Sequence, residues 1–169
     1  MMTPYSIAQS EIGTTEIRGD EDNPRVVQYF ADVGHSWVQD DETAWCAAFV
    51  GSCLKRGGYP HTGSLGARSY LDWGQPVALQ DAEPGDIVVF WRGSPSSWQG
   101  HVGFFVGVEK GGDIMVLGGN QKDKVGLARY SQSRLLGVRR ADQEVSPAKG
   151  STPRWLLAIL ALIKRIVDK

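Results

Sequence analysis

An α+β fold, helices first and an antiparallel sheet after them, is what three features of the 169-residue sequence predict. Apolar residues in the first half recur at helical spacing between capping residues and glycines. After Pro84-Gly85-Asp86 the period changes to short apolar or alternating runs, rich in valine and phenylalanine and separated by turn residues. Helices and strands are therefore segregated along the chain rather than alternating as in a βαβ array.

The elements follow in order. Residues 5–12 suit a short helix ended by Gly13. Asn23-Pro24 supplies a cap and a first-turn proline; Val26, Val27, Tyr29, Phe30 and Val33 form the apolar face, and Gly34 closes it. A central helix runs from about Thr43 to Arg56. Asp41, Glu42 and Thr43 read as its acidic and capping residues, Trp45, Ala47, Ala48, Phe49 and Val50 as its core, and Gly57-Gly58 as its stop. A further short helix fits Ser64 to Trp73. Strands fit Ile87–Trp91, the alternating run from Gly100 to Val106, Ile114–Leu117, Val125–Tyr130 and Leu135–Arg139. Residues 1–141 thus form one domain. Residues 142–153 have the polar Ser, Pro, Lys and Gly composition of a linker, and 154–169 read as an amphipathic C-terminal helix. Its apolar run from Trp155 to Ile163 is far short of the ~20 residues that span a bilayer. Two uses stay open for it: self-association or packing on its own domain, and binding at an anionic membrane surface.

Bulk properties exclude some functions. A net charge of -1 offers no electrostatic case for nucleic acid. Cys46 and Cys53 are seven residues apart on one predicted helix, about 10.5 Å of rise, beyond the roughly 7 Å a disulfide bridges; both are expected as free thiols. No C-x-x-C or H-x-x-x-H spacing is present, so no metal and no other cofactor is expected. Met1 to Ser6 lack a basic or apolar leader segment, which predicts no signal peptide and synthesis in the cytoplasm.

The chemistry centres on Cys46. At a helix start, unpaired N–H groups favour thiolate over thiol, and a nucleophilic thiolate needs a base. His101, in Gly100-His101-Val102-Gly103-Phe104-Phe105-Val106, is the candidate. Cysteine on a helix with histidine on a later strand is the papain-like layout. The plainer reading makes Cys46 a small buried core residue; Cys53, deeper in the helix, reads as core. A third group must hold the imidazole. The strand after that of His101 ends in Gly118-Gly119-Asn120-Gln121, so an antiparallel neighbour would return Asn120 or Gln121 to the histidine. Asn120 is favoured as the orienting residue, although it also reads as a turn residue, and Gln121 is its rival. Trp98, in a polar loop before His101, Trp45 and Gln121 are the candidate substrate contacts; Trp45 and Trp91 suit core packing as well. His35 and His61 fall in predicted loops and are expected to be solvated.

Four segments, in this order, resemble the NlpC-type and CHAP superfamily of cysteine amidases and peptidases: Trp45-Cys46-Ala47-Ala48-Phe49-Val50, Pro84-Gly85-Asp86-Ile87-Val88-Val89-Phe90, Gly100-His101-Val102-Gly103-Phe104-Phe105 and Leu117-Gly118-Gly119-Asn120-Gln121. The resemblance covers roughly residues 5–140 and is nearest to small phage-associated members. It implies a papain-like fold and hydrolysis of an amide bond in peptidoglycan, with stem peptide and glycan as the partner. Cys46 would be the nucleophile, His101 the base and acid, and Asn120 the orienting residue. It also implies action at the cell wall or periplasm after release or secretion. Two alternatives stand beside it: an acyltransferase with the same thioester, and a wall-binding module without activity.

Overall fold

Asn23 and Pro24 act as their order predicts. In the computed structural model, which describes residues 2–19 and 21–142, the Asn23 side chain accepts from the Arg25 N–H and α2 runs Pro24–Asp32. α1 (Pro4–Ser10) begins in the same way, with Thr3 accepting from Ser6 N–H ahead of its proline. The central helix, α3 (Cys46–Arg56), starts later than its acidic approach suggests: Trp45 is the N-cap, and no side chain caps it. Asp41 is not a helix cap. It is buried, and one carboxylate oxygen accepts from the backbone N–H groups of Ile17 and Asn23, both at 2.8 Å. The carboxylate thus satisfies two loop amides rather than a helix end.

Every residue of α3 from Cys46 to Leu54 is buried. A helix apolar on all sides must be covered on all sides, and α3 is packed between α1 and α2 on one side and the sheet on the other. Glu11, the C-cap of α1, clips the three helices together. Its carboxylate accepts from Arg25 Nε of α2 at 2.9 Å, Arg56 Nη1 of α3 at 2.6 Å and the Tyr29 hydroxyl at 2.9 Å. Burial alone would raise this carboxyl's pKa; the two guanidinium groups and the hydroxyl outweigh it and hold the group at about 2.

The region 64–73 forms a 3₁₀ segment, Ala67–Asp72, rather than an α-helix. The sheet then assembles from β1 (Gln75–Val77), β2 (Ile87–Trp91), β3 (Gly100–Val108), β4 (Ile114–Gly118), β5 (Gly126–Tyr130) and β6 (Leu135–Arg140). Their order is β1-β6-β2-β3-β4-β5, antiparallel throughout. β1 is the strand that periodicity misses: three residues with a central proline carry no alternation, and it gains its pairing at the edge of β6.

Both faces of the sheet are covered. Ile87, Val89, Val102, Phe104 and Leu117 join the helices in one core. Val88, Phe90, Phe105, Ile114, Val116 and Val138 make a second core on the opposite face, which is why β2 reads as an uninterrupted apolar run. Register shifts in the β3–β4 and β2–β6 pairs add twist. The sheet curls far enough that Tyr130 of β5 stacks on His101 of β3 at 5.0 Å and on Phe90 of β2 at 4.7 Å. The linker and amphipathic helix expected over 142–153 and 154–169 lie, past Asp142, outside the described residues.

Candidate active site

His101 stands near the start of β3, opposite Phe90 of β2, and is fully buried. Its Nε2 lies 3.1 Å from Gln121 Oε1, and its Nδ1 lies 3.4 Å from Arg92 Nη2. These partners fix the tautomer. The Gln121 amide nitrogen is already committed, donating to the carbonyls of Val116 and Gly126. Its oxygen therefore faces the ring, and Nε2 must be the nitrogen that donates. Arg92 can only donate, so Nδ1 must carry the lone pair. A neutral imidazole with its basic nitrogen turned toward Arg92 satisfies every contact.

The ring's partner is thus Gln121 and not Asn120. The turn chemistry gives the reason. Asn120, Lys122 and Asp123 all take positive φ, at 52°, 57° and 63°. The Gln121 N–H meanwhile closes on the Lys124 carbonyl. This reversal folds Gln121 inward between β4 and β5, where it is 5% exposed, and turns Asn120 to the lining of an open cleft. The Gln121 side-chain amide is already bonded to His101, Val116 and Gly126, so the residue offers the cleft little of its polar group for substrate. The glycines before it are required by crowding on both sides: a Cβ on Gly118 would sit 3.2 Å from His101 Nε2, and one on Gly119 would sit 2.5 Å from the Trp45 ring.

Cys46 occupies the first turn of α3 and is 7% exposed. Burial pushes its thiol pKa up; the Val102 amide, the charge of Arg92 and the amides of Ala47 and Cys46 pull it back only in part. Cys46 heads the helix that packs against β3, the strand that carries His101. The raised thiol pKa runs against the thiolate expected from the helix start, because desolvation outweighs the helix end. His101 is shifted as well, down to about 3, by burial first and the Arg92 charge second, with the Gln121 hydrogen bond opposing. The resting pair is thiol and neutral imidazole.

Of the tryptophans, Trp45 is wholly buried. Its indole N–H bonds Glu16, and its ring lies by Tyr29 and Phe49, so it is core and cannot touch substrate. Trp98 is 84% exposed on a loop pinned by Arg68, which donates to the carbonyls of Ser94, Pro95 and Gln99. Trp91 is half-buried, bonding the Ser133 carbonyl through its indole. Neither of the other histidines is freely solvated: His35 Nε2 lies 2.7 Å from the Gly63 carbonyl, and His61 Nδ1 accepts from the Gly63 N–H. Both rings serve the one loop, whose polar backbone they satisfy.

Beside the His101–Gln121 pair opens a cleft of about 750 Å³, lined in part by Arg92, Asn120, Gln121, Lys122, Lys124 and Tyr130. Arg92 and Tyr130 belong to no motif of the sequence. Arg92 follows directly on β2, whose Phe90 pairs with His101, and Tyr130 reaches the ring by stacking across the sheet.

Residues 38–120 match the family model described as the CHAP domain. No curated protein sequence matches the chain. Among solved structures, the wild-type endolysin LysIME-EF1 aligns with a TM-score of 0.53 at 13% identity, over 98% of this chain and 87% of that one. An NLP/P60-family protein similar to lipoproteins, from Staphylococcus aureus subsp. aureus Mu50, aligns with a TM-score of 0.43 at 18% identity, over 75% of this chain and 45% of that one. The matched segment carries Cys46, His101 and Asn120, and it lies within the stretch whose four motifs resemble the NlpC-type and CHAP superfamily.

Proposed function

We propose that the chain is a peptidoglycan hydrolase that cleaves an amide bond of the bacterial cell wall through a cysteine thioester. Cys46 is the nucleophile, His101 the base and then the acid, and Gln121 the residue that orients the imidazole. The observation that carries this reading is the fixed tautomer of His101, with Nε2–H held by Gln121 and the basic Nδ1 left beside Arg92, a residue of the cleft lining. The CHAP match and the fold shared with an endolysin point to the same substrate class.

Because thiol and imidazole rest neutral, the proton moves as the bond forms. Cys46 Sγ attacks the amide carbonyl while Nδ1 takes the thiol proton, giving a tetrahedral oxyanion. The uncapped first turn of α3 leaves backbone N–H groups at the sulfur to receive that oxyanion; one such donor is typically worth ~3 kcal/mol. The imidazolium returns its proton to the leaving amine, and water, deprotonated by His101, releases the acid from the thioester. The exposed ring of Trp98 is available to stack on sugar or peptide beside the site. A protein made in the cytoplasm would meet this substrate after release to the wall.

Digestion of purified cell wall, with the released muropeptides weighed by mass spectrometry, tests the proposal and identifies the bond. Wild type should release new amine ends, and Cys46→Ala should release none. Equal release by the Cys46→Ala variant would sink the mechanism.

A further inference from the structure

Arg92 does something the hydrolytic scheme does not ask of it. It is exposed, follows directly on β2, and rests with Nη2 3.4 Å from His101 Nδ1, the very nitrogen that must accept the thiol proton. Among the described residues its guanidinium makes no ion pair with a carboxylate. The cleft it borders is cationic: Arg92, Lys122, Lys124 and Arg129 line it, no acidic side chain does, and the chain as a whole carries -1. Arg129 is already paired with Glu109, at 2.6 Å. The positive field of the cleft therefore comes chiefly from Arg92, Lys122 and Lys124, and it awaits an anion.

A guanidinium prefers a carboxylate, which it can grip with two parallel hydrogen bonds, to a neutral imidazole nitrogen, which offers one. It cannot bond fully to both at once. We propose that Arg92 reads a free carboxylate on the substrate peptide, and that by turning to it the guanidinium uncovers His101 Nδ1 for the thiol proton. The ligand class is a peptide segment bearing a carboxylate close to the scissile amide, in preference to the same segment amidated. The inference rests on the amide hydrolysis proposed above, and it makes Arg92 a specificity and positioning residue rather than part of the bond-breaking set.

Two measurements on the full chain test it. The first compares walls whose stem peptides carry free or amidated carboxylates, with kcat and KM resolved for wild type, Arg92→Gln and Arg92→Lys. Wild type should favour the free acid, Arg92→Gln should lose the preference in kcat as well as in KM, and Arg92→Lys should restore part of it. The second needs no wall. The rate of alkylation of Cys46 by iodoacetate is divided by that by iodoacetamide, with Cys46→Ala as the blank for Cys53. This ratio should fall about fivefold in Arg92→Gln if the arginine draws carboxylates to the thiol. Unchanged thermal unfolding of the variants shows that the fold is retained. A wild type that cuts no wall would end the hydrolase reading while the alkylation ratio still decides the role of Arg92. Wall cleavage with the same acid-to-amide preference in Arg92→Gln, and an unchanged ratio, would overturn the carboxylate reading and leave the hydrolase standing.

Discussion

Replacing Gln121 by alanine separates the two candidates for the third position. The substitution removes the acceptor of the His101 Nε2–H bond at 3.1 Å, and the donor to Val116 O at 3.3 Å and to Gly126 O. His101 is fully buried, so its ring N–H is left without a partner, a cost of about 1–3 kcal/mol. The void left by the missing amide and methylene adds about 1–2 kcal/mol. Gln121→Ala should therefore destabilise the protein by about 2–5 kcal/mol, a large share of a domain's usual stability. Activity should fall further than stability does. An imidazole free to turn or change tautomer no longer keeps Nδ1 as its fixed basic nitrogen, and kcat/KM should drop by about 10²–10³ even where the variant is folded. Asn120→Ala supplies the contrast. It gives up a side chain suited to positive φ, at 52°, costing about 1 kcal/mol, and should change the rate by no more than a fewfold. The assay is the initial rate of muropeptide release, normalised to the folded fraction from circular dichroism melting. If Asn120→Ala loses more rate than Gln121→Ala, the orientation argument fails.

Other expectations follow from the same contacts. Cys53→Ala should keep turnover, since Cys53 is wholly buried within α3, while Cys46→Ala loses it; electrospray detection of a trapped acyl-enzyme in the first and not the second would check the assignment. Glu11→Gln strips the charge that two arginines and Tyr29 converge on, and should cost about 2–4 kcal/mol, read from the urea midpoint; an unshifted midpoint would show that the clip is dispensable. Acid should destabilise the fold in two stages. His101 has a folded pKa of about 3 against an ordinary 6.5, so the unfolded chain binds the extra proton between these values, and stability is full above about pH 6.5 and declines toward pH 3. Glu11, at about 2 against 4.5, adds its loss from about pH 4.5 downward. A melting temperature that rises on acidification from pH 7 to 5 would contradict the first stage.

Much of the architecture was legible because it depends on local signals. Asn23-Pro24 starts a helix, Gly57-Gly58 stops another, and Val/Phe-rich runs after Pro84-Gly85 become strands. Trp45 and Asp41 were less legible, since side chains that suit a helix start also suit a core or a loop. Which role wins depends on distant partners: Glu16 for Trp45, Ile17 and Asn23 for Asp41. β1 escaped notice for the complementary reason, having almost no pattern of its own.

The choice between Asn120 and Gln121 shows most clearly where local reading stops. Period-2 geometry brings the end of β4 back beside β3, and so narrows the partner of His101 to two adjacent amides. Alternation alone cannot choose, because the strand has ended at Gly118 and the next residues obey a turn. Three non-glycine residues at positive φ within four positions decide which side chain enters the protein. Asn and Asp tolerate that conformation, but lysine does so only under constraint. The constraint is visible in the amide of Gln121, held by Val116 and Gly126, and in the N–H of Gln121, held by Lys124. The buried amide and the strained turn therefore support one another. Strain is accepted at three residues because it seats one glutamine against the histidine, and a substitution that relaxed the turn would loosen the ring it serves.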